Sequence, residues 1–303
     1  MRRSFVLGLP IFCSLLMVVL YAFAVFGQLD LGFFVSCFFL VMTIPLIGYS
    51  LLFSAHREEH RTHIANATVL VFLAFAMLTL LINSGREVVS WDDFNHWATA
   101  VKEMLYTDSL ASSSTSRVLF TRNNPSATIM FRYFFSRLAG GYSEFVQFAS
   151  LQLLMYAFLM PLFAQIKTNT LKFYALIAGV PTILLLFQSS QHLSAFGLLG
   201  IDILMGLQFA FLLWVVMSPA PEYTVFFKGF LSALMGCSLI IQKDIGLGLV
   251  AITVGLLLLQ IVCNRKSAYQ SERIKGLLIQ TVCLLAGAAI AYGSWQWYWM
   301  LHA

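Results

Sequence analysis

The sequence predicts an all-α integral membrane protein with about nine transmembrane helices. Hydrophobic residues make up 60% of the chain and charged residues 10%, whereas soluble domains carry roughly 25% charged residues. Apolar runs recur along the whole chain, and residues 84–144 form a long polar interruption. We therefore expect a single polytopic membrane domain over residues 1–303, with a helical loop between the third and fourth spans.

Each apolar run is close to the length of about 20 residues that a helix needs to cross the hydrocarbon core. Residues 225–241 are short and contain Lys228, which leaves a broken or re-entrant helix as an alternative there. Pro181 predicts a kink in the fifth span. The predicted spans are 5–27, 31–54, 66–83, 145–165, 172–188, 197–217, 225–241, 245–263 and 276–298.

The distribution of Lys and Arg predicts the orientation of the spans. With the N-terminus in the cytoplasm, the basic short connections all fall inside, and the outer connections 28–30 and 189–196 contain neither Lys nor Arg. The loop 84–144 is then extracytoplasmic. The first apolar run exceeds the roughly 7–15 residues of a signal-peptide core, so we expect a retained span. We expect the plasma membrane, the inner membrane of a bacterium, as the location.

Two broad classes of site are not predicted. The five cysteines lie in or beside apolar segments, without a CxxC or Cys/His metal spacing, so neither a disulfide framework nor a zinc site is indicated. The net charge of +5 is divided among short connections instead of forming a basic run with interleaved aromatic residues. Nucleic-acid binding is therefore not expected.

The polar loop opens with Ser90-Trp91-Asp92-Asp93-Phe94-Asn95-His96-Trp97. Ionisable groups at a membrane boundary are costly unless they are paired or functional. Asp92 or Asp93 can act as a general base, and their mutual repulsion would raise the pKa of one of them. The alternative is that both only cap the helix that follows. His96 suits a metal, a base or a phosphate donor, or a plain interface residue.

Two helices are predicted within the loop. The first begins near Phe94 and would lie along the membrane surface or pack against other loop elements. The second begins after Asn123-Asn124-Pro125 and ends at Gly140-Gly141, because asparagine and proline suit a helix start. Apolar residues recur in the first helix at spacings of three and four, at Phe94, Trp97, Val101 and Leu105.

Arginine is the main basic residue of the loop, where Lys102 is the one lysine. The planar guanidinium grips phosphate with two parallel hydrogen bonds, so we expect at least one of these arginines to contact a phosphate. Solvated or headgroup-bound arginines are the alternative. The loop contains Arg86, Arg117, Arg122, Arg132 and Arg137, of which we select Arg117, Arg122 and Arg132 as candidate phosphate or substrate ligands.

Two charged positions outside the loop are further candidates. Asp202 lies near the outer start of the sixth span, and Lys243-Asp244 interrupts the apolar stretch between the seventh and eighth. Lys243 could project into the cavity of Asp92 and bind phosphate, with Asp202 as its counter-ion or as a ligand of the acceptor. A turn in which Lys243 and Asp244 neutralise each other is the alternative.

The motif Trp91-Asp92-Asp93-Phe94-Asn95-His96-Trp97 resembles the acidic loop motif of the GT-C glycosyltransferases, and in particular of protein O-mannosyltransferase-like members. The resemblance covers mainly residues 84–165 and extends more weakly to about residue 263. It implies that Asp92 is the catalytic carboxylate, Asp93 its neighbour, and a loop arginine a phosphate ligand. The chain departs from the pattern in having Asp for Glu and in placing the loop after the third span.

The resemblance implies inverting transfer of a sugar from a polyprenyl-phosphate donor to a glycan, lipid or protein acceptor on the extracytoplasmic face. The expected partners are that donor and membrane lipid. The sequence identifies no certain cofactor, and Mg²⁺ or Mn²⁺ is the metal that Asp92 and Asp93 would suit. The larger C-terminal portion of such enzymes is missing, so a fragment or an inactive relative is also expected. The alternatives are a polymerase or ligase of lipid-linked glycans, a transporter or flippase-like carrier, and an assembly subunit without activity.

Overall fold

The computed structural model describes residues 4–53, 67–112, 116–118, 125, 127–164, 199–217, 223–264 and 271–302. Within these ranges the regular structure is entirely helical, which confirms the all-α part of the prediction. The elements are α1 (Ser4–Val25), α2 (Leu29–Phe53), α3 (Ala67–Ile82), a π-helical segment (Asp93–Ala98), α4 (Thr99–Thr107), α5 (Ala127–Leu138), α6 (Glu144–Ala164), α7 (Asp202–Met217), α8 (Val225–Ile240), α9 (Ile245–Asn264) and α10 (Ser271–His302).

Among the described residues, three helices are long and apolar enough to cross a membrane: Leu7–Val25 in α1, Ile245–Cys263 in α9, and all of α10. Shorter apolar helices occur at Leu29–Thr43, Val71–Ile82, Asp202–Met217 and Val225–Ile240. These helices are compatible with membrane insertion.

Helices occupy the predicted spans, with ends that differ by about five residues or fewer. The exception is the fifth span, 172–188, which lies outside the described residues together with Pro181. Helix α8 continues without a break past Lys228, and Thr224 caps its start by accepting a hydrogen bond from the Phe227 amide at 3.2 Å. The chain divides into two compact units, Met1–Ser109 with Ile129–Gly200 and Leu110–Thr128 with Ile201–Ala303.

In the first unit, α1 packs against α2 and α6, and α3 packs against α6. The core between them is apolar, and the rings of Phe75 and Tyr156 stack with centroids 4.8 Å apart. One polar contact is buried there: the Asn83 side-chain amide donates to Gln152 Oε1 at 2.8 Å. This contact joins the end of α3 to the middle of α6, which fixes the point where the long loop begins.

In the second unit, α8 and α10 make the most extensive helix pair. Glycines allow the close approach, since a Cβ added at Gly287 would lie 2.4 Å from the Ala233 carbonyl oxygen. Small residues are the usual means by which apolar helices bring their backbones together. The pair therefore depends on the absence of a side chain at this position.

The second unit also encloses a buried polar network. The Gln242 side-chain oxygen accepts hydrogen bonds from the amide and the hydroxyl of Thr128, and its nitrogen donates to Gln208 Oε1 at 3.3 Å. Gln208 in turn donates to the Ser238 hydroxyl at 3.3 Å. Because each of these polar groups has a partner, the network joins Thr128 to the middle of α7 and to the end of α8.

Candidate functional site

The acidic motif folds as a π-helical turn leading into α4. Trp97, Val101 and Met104 are buried, so the helix packs on protein, which is one of the two predicted alternatives. The predicted apolar stripe is wrong at both of its ends. Phe94 is 59% exposed while Asp93 is buried, and Leu105 is half-buried while Met104 is buried. Helix α4 ends at Asp108, whose φ of 46° is left-handed.

Asp93 is only 1% exposed, and its Oδ1 accepts a hydrogen bond from the Leu199 amide at 2.9 Å. Its Oδ2 has no hydrogen-bond partner among the described residues. Burial raises the pKa of Asp93 to about 6, against the opposing effects of the Leu199 amide and of Arg132. The sequence predicts that repulsion between Asp92 and Asp93 raises one pKa. Repulsion from Asp92 does raise the pKa of Asp93, but burial is the larger cause. Asp92 itself is exposed.

Arg132 lies on α5 and is completely buried. Its guanidinium carbon is 6.0 Å from the centroid of the Trp97 ring. None of its three side-chain nitrogens has a hydrogen-bond partner within the described ranges. Burial lowers the pKa of Arg132 to about 10, and the charge of Asp93 opposes this shift. An unpartnered buried guanidinium is unfavourable, so its position indicates a site for an anion or for water.

Tyr142 belongs to the same cluster. Its hydroxyl is buried and has no partner in the described part of the chain, and Lys102 Nζ lies 4.4 Å from the centre of its ring. The phenol is within electrostatic range of Asp93 and Arg132. Burial raises the pKa of Tyr142 to about 12, so the hydroxyl stays protonated at neutral pH.

Arg86 completes the cluster from the end of α3. Its guanidinium carbon lies 4.1 Å from the centre of the Phe148 ring, and Nη1 donates to Asn83 Oδ1 at 3.3 Å. Burial lowers the pKa of Arg86, and the charge of Asp93 raises it. The site therefore contains the Asp93 carboxyl group, two guanidinium groups and one phenol, and the Glu144 carboxylate lies within electrostatic range of that phenol.

Local contacts bring the two ends of the loop together. Helix α5 ends as predicted before Gly140-Gly141, and Gly140 has a left-handed φ of 85° that closes the helix. The Glu144 carboxylate then accepts a hydrogen bond from the Val88 amide at 2.5 Å. As a result, the segment before Asp93 and the segment after Tyr142 are held side by side.

The Arg137 guanidinium fixes the last turn of α5. It contacts Asp30 at 2.7 Å and Asp108 at 2.6 Å, and it donates to the Tyr133 hydroxyl at 2.8 Å. These contacts join the start of α2, the end of α4 and α5. They hold the helix that carries Arg132.

Two other loop residues named from the sequence are placed by the structure. The ring of His96 lies edge-on to Trp91 with centroids 5.5 Å apart, and its Nδ1 has no partner among the described residues. Arg117 is exposed and belongs to the second unit. Arg122 lies outside the described residues.

The two candidates outside the loop pair with each other. Lys243 Nζ lies 2.9 Å from Asp202 Oδ1 in the second unit, and the Asp202 side chain is 78% exposed. Asp202 is thus the counter-ion of Lys243, one of the two roles predicted for it. The structure brings these two residues into direct contact, whereas Asp93 and Arg132 in the first unit interact electrostatically without an ion pair or hydrogen bond between them.

No group of three or more His, Cys, Asp or Glu residues in the described ranges could hold a metal ion. Asp92 and Asp93 do not form a shared pair of ligands, because one is exposed while the other is buried and bonded to a backbone amide. Comparisons with protein-family models, curated proteins and solved structures find no match to this chain.

Sequence reasoning did not select Tyr142 or Arg86 as site residues. The position of Tyr142 directly after the glycine pair was a usable signal, because a turn there returns the chain toward the start of the loop. The bond from Leu199 to Asp93 joins residues 106 positions apart, and no local pattern predicts it. The cluster as a whole can take a proton at Asp93 and hold an anion at Arg132.

Proposed function

We propose that this chain is a membrane glycosyltransferase that moves a sugar from a polyprenyl-phosphate donor to a hydroxyl of a glycan, lipid or protein acceptor. The observation that carries the proposal is that two buried groups within electrostatic range of each other are unsatisfied: Asp93 has one unbonded oxygen, and Arg132 has a guanidinium without a hydrogen-bond partner among the described residues. A base beside an anion ligand is what this transfer requires.

In the proposed reaction, the acceptor oxygen forms a bond to the anomeric carbon while the bond from that carbon to the phosphate oxygen breaks. Asp93 takes the proton of the acceptor hydroxyl, and polyprenyl phosphate leaves with the bonding electrons. Arg132 stabilises the charge of the departing phosphate. A carboxyl group with a pKa of about 6 suits the base, because it is mostly ionised at pH 7 and is still more basic than an exposed carboxylate.

The apolar helices support a membrane setting for this donor, whose isoprenoid tail partitions into hydrocarbon. The proposed topology has about nine spans, a cytoplasmic N-terminus and an extracytoplasmic loop 84–144 in the plasma membrane, based on the distribution of basic residues. The acceptor hydroxyl would then approach from the extracytoplasmic side.

The test is a comparison of Asp93→Asn with Asp92→Asn by profiling glycolipids and surface glycans. We expect Asp93→Asn to lower product about 100-fold or more, with the donor accumulating, because asparagine keeps the shape and removes the base. The Asp92→Asn variant shows which aspartate is the base. Loss of product in Asp92→Asn alone would favour Asp92, the residue that the resemblance implies, and loss in Asp93→Asn alone would favour the buried Asp93. Glu272→Gln, at a side chain that is 85% exposed, is the matched control, with protein level and insertion verified for each variant.

Two results would contradict the proposal. An unchanged Asp93→Asn profile, given a detectable wild-type product, would reduce Asp93 to a structural residue. Loss of function in Asp202→Asn with full function in Asp93→Asn would instead favour a carrier that uses the Asp202–Lys243 pair. Accumulation of diphosphate-linked oligosaccharides would favour a polymerase or ligase.

A further inference from the structure

We propose that the Tyr142 hydroxyl is a second ligand of the donor phosphate, acting beside Arg132 as an uncharged hydrogen-bond donor. The inference rests on the proposed function and deepens it, because it assigns a phosphate-binding role to a residue outside the acidic motif. A polyprenyl monophosphate is the class of ligand that we infer for this pair.

The first support is the unused hydrogen-bonding capacity of the cluster. The Tyr142 hydroxyl and all three Arg132 nitrogens are buried without a partner among the described residues. Buried polar groups nearly always have partners, so a cluster of unsatisfied donors indicates that something else occupies the site when the protein works. A phosphate, with several acceptor oxygens, satisfies donors of both kinds.

The second support is that the position of Tyr142 is fixed. Its ring is held by Lys102 of α4 at 4.4 Å, and the turn at Gly140-Gly141 sets its place in the chain. The Lys102 contact and the bond from Val88 to Glu144 place the phenol beside the segment that carries Asp93. Its charged neighbours there are Glu144, Arg132 and Asp93. A residue placed in this way can act as a ligand without losing side-chain freedom on binding.

The third support is the charge of the cluster. Arg86, Arg132 and Lys102 carry three positive charges, and ionised Asp93 and Glu144 carry two negative charges. Apart from the exposed Asp92, whose charge solvent screens, this leaves a net charge of about +1. The phosphodiester of a polyprenyl-phosphate sugar carries about one negative charge, so a further ligand need not be charged. A protonated phenol supplies a hydrogen bond and keeps this balance.

The experiment uses the full chain in phosphatidylcholine nanodiscs and compares Tyr142→Phe with wild type. The control is Tyr106→Phe, at a side chain that is 92% exposed. Binding of farnesyl phosphate is measured by calorimetry, with farnesol, inorganic phosphate and phosphatidylglycerol as separate arms. The thermal midpoint of each ligand-free variant is measured in parallel.

We expect Tyr142→Phe to bind farnesyl phosphate about tenfold or more weakly, because a hydrogen bond to a charged acceptor is lost. Its affinity for farnesol is unchanged. The ligand-free midpoint stays the same or rises, because the deleted hydroxyl has no partner. A merely structural tyrosine would give a lower midpoint instead. Tyr106→Phe behaves as wild type.

Each contrary result has a distinct meaning. Equal binding by Tyr142→Phe and wild type, or a lower midpoint, overturns the role of Tyr142 and leaves the proposed function intact. Wild-type binding of inorganic phosphate or phosphatidylglycerol as tight as that of farnesyl phosphate overturns the assignment to a polyprenyl ligand. Absence of wild-type binding, together with an unchanged Asp93→Asn glycan profile, overturns both proposals.

Discussion

Asp92 and Asp93 are neighbours of the same residue type, yet they occupy opposite environments. Asp92 is exposed, whereas Asp93 is buried, bonded to the Leu199 amide and close to Arg132. A carboxyl group acquires base character from such surroundings and not from its sequence context. The sequence predicts that this pair matters but not which member is buried, because the burial depends on residues beyond the loop.

The raised pKa of Asp93 predicts a pH dependence of stability. The folded protein binds the proton with a pKa of about 6 and the unfolded chain with the ordinary value of 3.8, so protonation favours folding. This stabilisation is complete below about pH 4 and is lost as the pH rises through about 6. We expect Asp93→Asn to remove that slope and to stabilise the protein at pH 7 by up to roughly 3 kcal/mol.

The measurement is the free energy of unfolding in mixed micelles between about pH 4 and 8. Glu272→Gln, at an exposed position, should keep the wild-type profile. If Asp93→Asn kept the wild-type slope, the pKa of Asp93 would not be raised by folding. If the variant were destabilised at pH 7, the folded protein would stabilise the carboxylate anion instead. Either result would remove this support for the proposed base.

At the scale of elements, the packing of α8 on α10 depends on which glycines face the partner helix. A Cβ at Gly287 would meet the Ala233 backbone oxygen at 2.4 Å, whereas a Cβ at Gly293 would meet nothing within 4 Å. The two glycines belong to the same helix and are chemically identical. Only their positions relative to α8 differ.

We therefore expect Gly287→Ala to lower the free energy of unfolding by about 1–3 kcal/mol, because the backbones must separate. Gly293→Ala is the matched variant and should be neutral or slightly stabilising, since alanine favours helix. Unfolding in mixed micelles would measure both. Equal effects of the two substitutions on the free energy of unfolding would mean that α8 and α10 can separate without loss of stability.

The positions of the helices are largely predictable from the sequence. The π-helical geometry of residues 93–98 is not. Apolar runs of sufficient length mark α1, α2, α6 and α9 directly, because each must shield its backbone from hydrocarbon. The periodicity of the loop was interpreted with 3.6 residues per turn, which places Phe94 on the buried stripe. The π-helical segment has more residues per turn and turns Phe94 outward while Asp93 faces inward.

At the scale of the whole molecule, the proposed topology can be tested by cysteine labelling. Tyr106 is 92% exposed in the loop, and Glu272 is 85% exposed before the main apolar part of α10. In a background without the native cysteines, a membrane-impermeant maleimide should label Tyr106→Cys on intact cells. It should label Glu272→Cys only after permeabilisation, because the positive-inside rule places that connection in the cytoplasm.

The reverse labelling pattern would invert the orientation, and labelling of both positions on intact cells would rule out the proposed number of spans between them.

Composition alone predicts the helical membrane class, because 60% hydrophobic residues leave too few polar residues to cover a soluble protein. The electrostatic interaction of Arg132 with Asp93 is not predictable in this way, since it depends on how α5 and the acidic segment pack.

The π-helical segment also restricts how the chain can vary in length. A segment of this kind holds one residue more per turn than an α-helix, so deleting a residue between Asp93 and Thr99 would restore ordinary winding and keep Asp93 facing inward. Inserting a residue there would instead rotate the acidic pair relative to α4. We therefore expect a deletion within this segment to disturb the fold less than an insertion.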